Sequence, residues 1–294
     1  MDNSCSKTGN KESKIFRYGN NNLYLNSRTH IIGILNVTPD SFYDGGKFLK
    51  IQDAMNHIEK LIEEGADIID VGGESTRPGS KPVSEEEEYN RVIPIIKEGM
   101  KYFNTIFSVD TTKSRIAYAA LSEGASIIND ISGLRFDPAI ADVAAKFKSG
   151  LVVMHTPSRP VNMLNNTVYR SLIEDICGCL HQSVISAEDK GVDPDSILID
   201  PGIGFGKTPE QNLIILNRLN EFRKLNKPIL VGTSNKSFIG KVLRTEDLND
   251  RDEATAATVT MSIKNGASFI RVHNVGFMKK VIKMADSILN ESLN

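Results

Sequence analysis

Short apolar runs alternate with helical stretches about eight times along the chain, and this alternation limits the possible folds more than any other feature. Near-continuous apolar strands separated by amphipathic helices are typical of a parallel sheet whose faces are covered by those helices. A count of eight predicts an α/β fold of the closed (β/α)8 TIM-barrel type, with an open sheet of the same units as the alternative. The predicted strands are Ile31–Leu35, Ile68–Val71, Ile106–Val109, Ile127–Ile128, Leu151–Met154, Ile197–Ile199, Ile229–Val231 and Phe269–Val272.

The segment before the first of these strands predicts a tail and a small hairpin. Residues 1–14 are polar and lack the apolar core of a targeting peptide, so we expect a disordered tail there. Residues 15–25 hold two short apolar pieces around a Gly-Asn-Asn-Asn turn, which predicts a short N-terminal β-hairpin. No second-domain signal interrupts the repeats that follow, so residues 15–294 are predicted to form a single domain.

Composition excludes several classes of function. The net charge of -2 gives no basic footprint for nucleic acid, and the absence of Trp leaves little for base stacking. No apolar stretch approaches the roughly 20 residues that a membrane helix needs. The three cysteines (Cys5, Cys177 and Cys179) frame neither a disulfide scaffold nor a metal site, so a reducing cytoplasm is the simplest compartment.

Polar residues fall at or just beyond the carboxyl ends of the predicted strands. In a barrel these ends converge on one mouth, where active sites of this fold lie. A single Asp after a strand is more often the N-cap of the next helix, but several polar residues at corresponding positions favour a ligand with many hydrogen-bond donors. The residues of this set are Asn36, Asp110, Asn129, Asp200, Lys236 and Arg271.

The run 201–208, read PGIGFGKT, resembles a phosphate-binding P-loop but does not match it. Pro201 occupies the position where that motif needs its first glycine, which argues against nucleotide hydrolysis. Thr208 followed by Pro209 is typical of a helix start, with Thr as the N-cap. The three glycines of the run would let the backbone approach a flat ligand closely.

The last strand carries Arg271 and His273, which alternation places on one face. Two such groups suit an anion, and a structural ion pair is the alternative. Arg77 in the exposed loop 74–79 could hold an anion or another substrate group. His155 lies at a strand end without an obvious catalytic partner, and no nucleophilic constellation of Ser, His and Asp or of Cys and His emerges.

Seven segments resemble the motifs of the dihydropteroate synthase family and follow that family's order: GILNVTPDSF, GGESTRPGS, SVDT, IND, DPGIGFGKT, GTSNKSFIG and RVHNV. The resemblance implies an alkyl-transferring enzyme of folate biosynthesis and a target of sulfonamides. Enzymes of this family join 4-aminobenzoate to 6-hydroxymethyl-7,8-dihydropterin diphosphate and release 7,8-dihydropteroate and diphosphate. The implied mechanism is dissociative: diphosphate leaves first, a delocalised pterin cation forms, and the arylamine attacks it.

The resemblance also implies roles for individual residues. Those expected to bind the pterin are Asp110, Asn129, Met154, Asp200, Lys236 and Arg271. Those expected to hold the diphosphate are Asn36, Thr76, Arg271 and His273, with Asn36 also touching Mg²⁺. The 4-aminobenzoate pocket is expected to be lined by Phe42, Thr76, Arg77, Phe205 and Ser237, under the loops 38–46 and 74–79. The residues expected to act in catalysis are Asn36, Lys236, Arg271 and His273, and a homodimer is the expected assembly.

The chain departs from the family pattern in two places. Asn235 stands where the family usually has Arg, so we expect the affinities for 4-aminobenzoate and sulfonamides to differ from the family norm. The loop 155–160 also diverges, and no role is carried into it. Two other functions stay open: a pterin-binding barrel that transfers a methyl group from methyltetrahydrofolate to a corrinoid protein, and a homologue that binds pterin without turnover.

Overall fold

The computed structural model describes residues 14–25, 27–37, 47–77, 79–245, 247 and 251–293. The predicted tail, apart from Lys14, lies outside these residues, and so does the loop 38–46 with Phe42.

Eight parallel strands form a closed barrel, as the alternation of apolar runs predicted. The strands are β3 (His30–Asn36), β4 (Ile68–Gly72), β5 (Ile106–Asp110), β6 (Ile127–Asp130), β7 (Gly150–Met154), β8 (Ile197–Asp200), β9 (Ile229–Val231) and β10 (Ala267–Val272). Their order around the barrel is β10-β3-β4-β5-β6-β7-β8-β9, and the pairing of β10 with both β3 and β9 closes it.

Helices follow the strands and cover the outside of the barrel. Their bounds are α1 (Lys47–Glu64), α2 (Glu85–Tyr102), α3 (Ser114–Ser122), α4 (Ala139–Phe147), α5 (Leu172–Asp189), α6 (Pro209–Asn217), α7 (Ser237–Leu243), α8 (Arg251–Lys264) and α9 (Val275–Asn290). Helix α6 begins as the sequence indicated, because the Thr208 side chain accepts from Gln211 N and the Gln211 side chain accepts from Thr208 N. In the described part of the chain, no helix is both long and apolar enough to cross a membrane.

The predicted N-terminal hairpin, β1 (Ile15–Tyr18) and β2 (Asn21–Tyr24), closes the amino end of the barrel. The Phe16 side chain is fully buried and meets the Phe269 ring edge-on, with 5.5 Å between ring centroids. Gly150 at the start of β7 leaves the space that Phe16 fills, since a Cβ there would lie 2.5 Å from the Phe16 ring. Burying a phenylalanine in this way stabilises the closed end by about 1.5–3 kcal/mol.

Side chains fill the barrel interior in layers because alternate residues of each strand point inward. The layer above the hairpin is apolar and consists of Ile32, Ile68, Ile127, Val152, Leu198, Leu230 and Phe269, with Ile106 packed against it. Two residues further along each strand, the corresponding positions are Ile34, Asp70, Ser108, Asn129, Met154, Asp200, Gly232 and Arg271. The interior therefore changes from apolar to polar on the way to the carboxyl mouth.

Candidate active site

Arg271 on β10 lies at the centre of the polar layer, between two buried carboxylates. Its Nε donates to Asp70 Oδ2 at 2.6 Å, and its Nη2 donates to Asp110 Oδ2 at 2.7 Å. Asn129 Nδ2 also donates to Asp70 Oδ2, at 2.8 Å. The two carboxylates raise the pKa of Arg271 against the opposing effect of its burial. Side chains from four strands are thus held in one hydrogen-bonded cluster.

Asp70 belongs to this cluster, although the sequence did not single it out. It is 1% exposed, and its Oδ1 is buried without a hydrogen-bond partner among the described residues. A signal was present: Asp70 is two residues after Ile68 in an apolar run, so alternation places its carboxylate inside the barrel. A buried carboxylate needs a cationic partner, and Arg271 supplies it.

Asp110 and Asp200 are the other carboxylates of the mouth. Burial raises the pKa of Asp110, while Arg271 opposes the shift. Burial also raises the pKa of Asp200, to about 6, although its Oδ1 accepts from Gly202 N at 2.7 Å. Met154 pairs in register with Asp200 on the adjacent strand. At pH 7.5 the Asp200 carboxylate is ionised and suited to accept from a ligand.

Lys236 brings a second cation to this carboxylate cluster. Its ammonium lies 4.2 Å from the centroid of the Phe205 ring, a cation–π contact. Burial and then Arg271 lower its pKa to about 8, while Asp200 and Asp110 oppose the shift. The lysine is therefore largely protonated at neutral pH and faces the same space as the two aspartates.

His273 and Asn36 stand at the rim of the mouth, where Asn36 Nδ2 lies 3.5 Å from His273 Nε2. The Ser234 hydroxyl accepts from His273 N at 3.3 Å and lies 3.0 Å from His273 Nδ1. These two contacts orient the imidazole, with Nδ1 towards the Ser234 hydroxyl and Nε2 towards Asn36. Burial, then Arg271 and Lys236, lower the pKa of His273 to about 4, so the imidazole is neutral at pH 7.

The loop after β4 is held in place by a buried ion-pair network with side chains from α2 and from the segment just before α3. Lys113 Nζ donates to both Glu74 and Glu88, and Thr111 Oγ1 donates to Glu88. Glu88 is 1% exposed. Arg91 Nη1 donates to Gly73 O at 2.7 Å. The acidic run 85–88 at the start of α2 thus contributes one buried member, Glu88, to this network.

The predicted site residues divide into three groups by placement. Hydrogen bonds, the Lys236–Phe205 contact and strand register bring together Asn36, Asp110, Asn129, Met154, Asp200, Phe205, Lys236, Arg271 and His273. Thr76 is half-buried, whereas Arg77 and Ser237 are exposed, and no hydrogen bond among the described residues joins these three to the cluster. Phe42 lies outside the described residues. The roles assigned to all of them stay predictions.

Comparisons with known proteins agree with this geometry. The pterin binding enzyme family matches residues 32–273, which is most of the chain. The dihydropteroate synthase of Clostridium beijerinckii is 46% identical over 274 residues, covering 93% of this chain and 99% of that protein. The chain therefore belongs to the dihydropteroate synthase family of pterin binding enzymes.

Solved structures extend the likeness to the fold. The dihydropteroate synthase of Clostridium difficile, determined in the presence of pteroic acid, superposes with a TM-score of 0.85 at 42% identity, covering 93% of this chain and 98% of that one. The Yersinia pestis enzyme in a sulfonamide drug complex gives a TM-score of 0.87 at 35% identity, covering 94% and 99%. The match spans the barrel from end to end, so the fold is that of the family.

Proposed function

We propose that this chain is a dihydropteroate synthase that joins 4-aminobenzoate to 6-hydroxymethyl-7,8-dihydropterin diphosphate. The observation that carries the proposal is Arg271 held between Asp70 and Asp110 in the barrel mouth, with Lys236 and Asp200 facing the same space. A pterin edge presents an amino group and a ring N–H side by side, with an oxygen acceptor beyond them. Carboxylates and an ammonium suit those three groups.

The pterin is bound by this polar layer. Asp200 accepts from the amino and ring N–H groups, and burial in the mouth makes each such bond stronger than it would be in water. Asp110 and Asn129 complete the edge, and Lys236 donates to the pterin oxygen or a ring nitrogen. The Arg271 guanidinium is fixed in one orientation by its two carboxylates, so it lies along the pterin face without first being ordered by the substrate.

The diphosphate is held at the rim by Arg271, His273 and Asn36. The neutral His273 meets the diphosphate through Nε2, the ring nitrogen on the side of Asn36, while Nδ1 contacts the Ser234 hydroxyl. The Asn36 amide is exposed at the mouth, so its oxygen can serve as one of the oxygen ligands that Mg²⁺ prefers, with substrate oxygens as others. A bound Mg²⁺ would neutralise charge on the leaving diphosphate.

The chemistry follows from this arrangement. The carbon–oxygen bond to diphosphate breaks, the ring system carries the positive charge, and the amine of 4-aminobenzoate attacks the methylene and loses a proton. No protein nucleophile is required, and catalysis consists of positioning and electrostatic stabilisation of the departing anion. Phe205 and Thr76 line the side from which the amine approaches.

The assembly we propose is a homodimer formed through α6, α7 and α8, which pack against one another. Several large apolar side chains are exposed on these helices: Leu213, Ile214, Val242, Leu243 and Met261. Exposed apolar groups on adjoining helices are typical of a protein interface. Sedimentation equilibrium tests this, and Leu243→Glu should shift a dimer to monomer, whereas a monomeric wild type would contradict the proposal.

The deciding experiment is diphosphate release by the purified protein with pterin diphosphate and Mg²⁺, with and without 4-aminobenzoate. Release that depends on the amine and yields dihydropteroate supports the synthase. Binding of the pterin diphosphate without amine-dependent turnover would instead identify a silent homologue. Methyl transfer from methyltetrahydrofolate in the absence of that turnover would identify the corrinoid-dependent alternative.

A further inference from the structure

Lys207 is a deeply buried amine that plays no part in the reaction proposed above. It is 5% exposed, and no carboxylate among the described residues forms a hydrogen bond with it. Buried lysines are rare and usually pair with an acidic side chain, because an ammonium loses its hydration on burial. Its position in the run 201–208 therefore needs a physical reason.

Three close acceptors surround the Lys207 ammonium, with a fourth, His155 O, more distant at 3.5 Å. Nζ donates to Gly202 O at 2.8 Å and to Phe205 O at 3.0 Å, and it lies 3.1 Å from His155 Nδ1. An ammonium has three N–H groups, one for each of these acceptors, whereas a neutral amine has only two. Burial lowers the pKa of Lys207 to about 7, and the nearby Asp200 carboxylate opposes that shift.

The imidazole of His155 fits its part in this arrangement. Burial and then Lys207 hold its pKa well below the usual range, so the ring is neutral. Nδ1 can then accept from Lys207 while Nε2 carries the ring proton. The contact joins the loop after β7, which holds His155, to the loop after β8, which holds Lys207.

Residues 202–206, which precede Lys207, pack closely against the loop after β7 and against the Lys236 side chain. Gly202 has φ +73, and a Cβ there would lie 1.9 Å from His155 O. Gly204 has φ +82, and a Cβ there would lie 2.8 Å from Lys236 Cδ. The Phe205 ring faces the Lys236 ammonium, as described above. Residues 202–206 therefore form one wall of the space in which the Lys236 side chain lies.

We propose that Lys207 is a positioning residue that holds residues 202–206 in the form that seats Lys236 beside Phe205. The inference rests on the proposed synthase activity and deepens it. Without the ammonium, three buried acceptors lose their donor, and the loop must rearrange to satisfy them. Phe205 would shift on the 4-aminobenzoate side and Lys236 on the pterin side, and Gly202 N would move relative to the Asp200 carboxylate that accepts from it. Asn129 and Arg271 are held by Asp70 and do not depend on this loop.

The test is Lys207→Met, which keeps an unbranched side chain of similar length and removes the donors. We expect the KM for 4-aminobenzoate to rise about tenfold or more, the factor that corresponds to one lost buried hydrogen bond. The Kd for pterin diphosphate, measured without 4-aminobenzoate, should rise as well, because Lys236 and Asp200 both contact this loop. Lys207→Gln keeps two N–H donors and should lie between the wild type and Lys207→Met.

Lys227→Met is the matched control. Lys227 is another largely buried lysine, and its Nζ donates to Glu188 Oε1 at 2.7 Å and Pro194 O at 2.8 Å, near the start of β8 and β9 at the opposite end of the barrel. Its loss should lower the free energy of unfolding and leave both constants unchanged. If Lys207→Met behaves like Lys227→Met, Lys207 is merely structural and the proposal is overturned.

Two further outcomes are also decisive. If Lys207→Met does not fold, the outcome for Lys207→Gln is decisive: a raised KM for 4-aminobenzoate supports the proposal, and an unchanged KM overturns it. If the wild type itself shows no turnover, the proposed function fails. The Lys207 inference is then judged from the Kd for 4-aminobenzoate, measured by calorimetry with saturating pterin diphosphate, where the same tenfold ratio is expected.

Discussion

Asp70→Asn tests whether the buried Asp70 carboxylate controls the central arginine of the site. The substitution keeps the shape of the side chain and removes its charge. Arg271 Nε and Asn129 Nδ2 both donate to the same atom, Asp70 Oδ2, so the neutral amide keeps an oxygen for them but loses the negative charge that pairs with Arg271. Hydrogen bonds to charged groups contribute about 1.5–3 kcal/mol each. We therefore expect kcat/KM to fall about 30- to 150-fold, the factor that corresponds to about 2–3 kcal/mol.

Steady-state kinetics over a range of pH measure this effect and add a second signature. The Asp70 charge helps to raise the pKa of Asp110, so its removal should lower the pKa of Asp110 and move any acid limb that Asp110 governs to lower pH. Asp67→Asn is the control, since Asp67 pairs with Arg28 at the amino end of the barrel, away from the mouth. A kcat/KM for Asp70→Asn within twofold of the wild type would refute the assignment of Asp70 as the group that orients Arg271.

Four further substitutions test the remaining inferences. Asp67→Asn should lower the free energy of unfolding by about 1–3 kcal/mol at pH 7. Because the folded pKa of Asp67 lies below its unfolded value, the contribution of the wild-type carboxylate decreases as the pH falls. Urea unfolding should therefore show a smaller difference between variant and wild type at pH 3 than at pH 7. Ser234→Ala removes the hydroxyl that orients the His273 ring through its contact with Nδ1, so inhibition by inorganic diphosphate should weaken by up to about tenfold. Asn235→Arg should change the Kd values for 4-aminobenzoate and a sulfonamide, and unchanged values would show that the missing arginine does not matter; Asn235→Gly controls for the left-handed backbone there, φ +59. Asp200→Asn should abolish pterin binding in a titration and leave the protein at least as stable as the wild type in urea at pH 7.5.

The fold was largely predictable because a parallel barrel leaves a strong periodic signal. Its strands are buried on both faces, so they read as continuous apolar runs, and helical spacing fills the intervals between them. The hairpin was also predicted from its turn residues, but the contact that places it under the barrel was not. That placement depends on Phe16 fitting the space left by Gly150, a contact between residues far apart in the chain.

The site was predictable only in part, since a motif names residues and leaves their partners unspecified. Asp110, Asn129 and Arg271 were recognised at strand ends, yet the carboxylate that joins Asn129 to Arg271, Asp70, lies within an apolar run and was overlooked. Lys207 was noticed only as part of a rejected phosphate-binding motif. Its partners are backbone carbonyls and a histidine from another loop, which no sequence pattern specifies.

The mouth concentrates charges that cost stability until a ligand is bound. The pKa of Asp200 is raised from 3.8 to about 6, so the folded protein binds this proton more tightly than the unfolded chain does. Stability therefore falls as pH rises through that interval, by about 3 kcal/mol for a shift of this size. The cost persists at neutral pH, where the carboxylate must be ionised to accept the pterin N–H groups. A bound pterin supplies those donors. Saturating pterin should therefore raise the free energy of unfolding of the wild type by more than that of Asp200→Asn. The buried layer at the amino end of the barrel is apolar, so it contributes stability without such a cost, while the carboxyl mouth keeps its charges for the substrate.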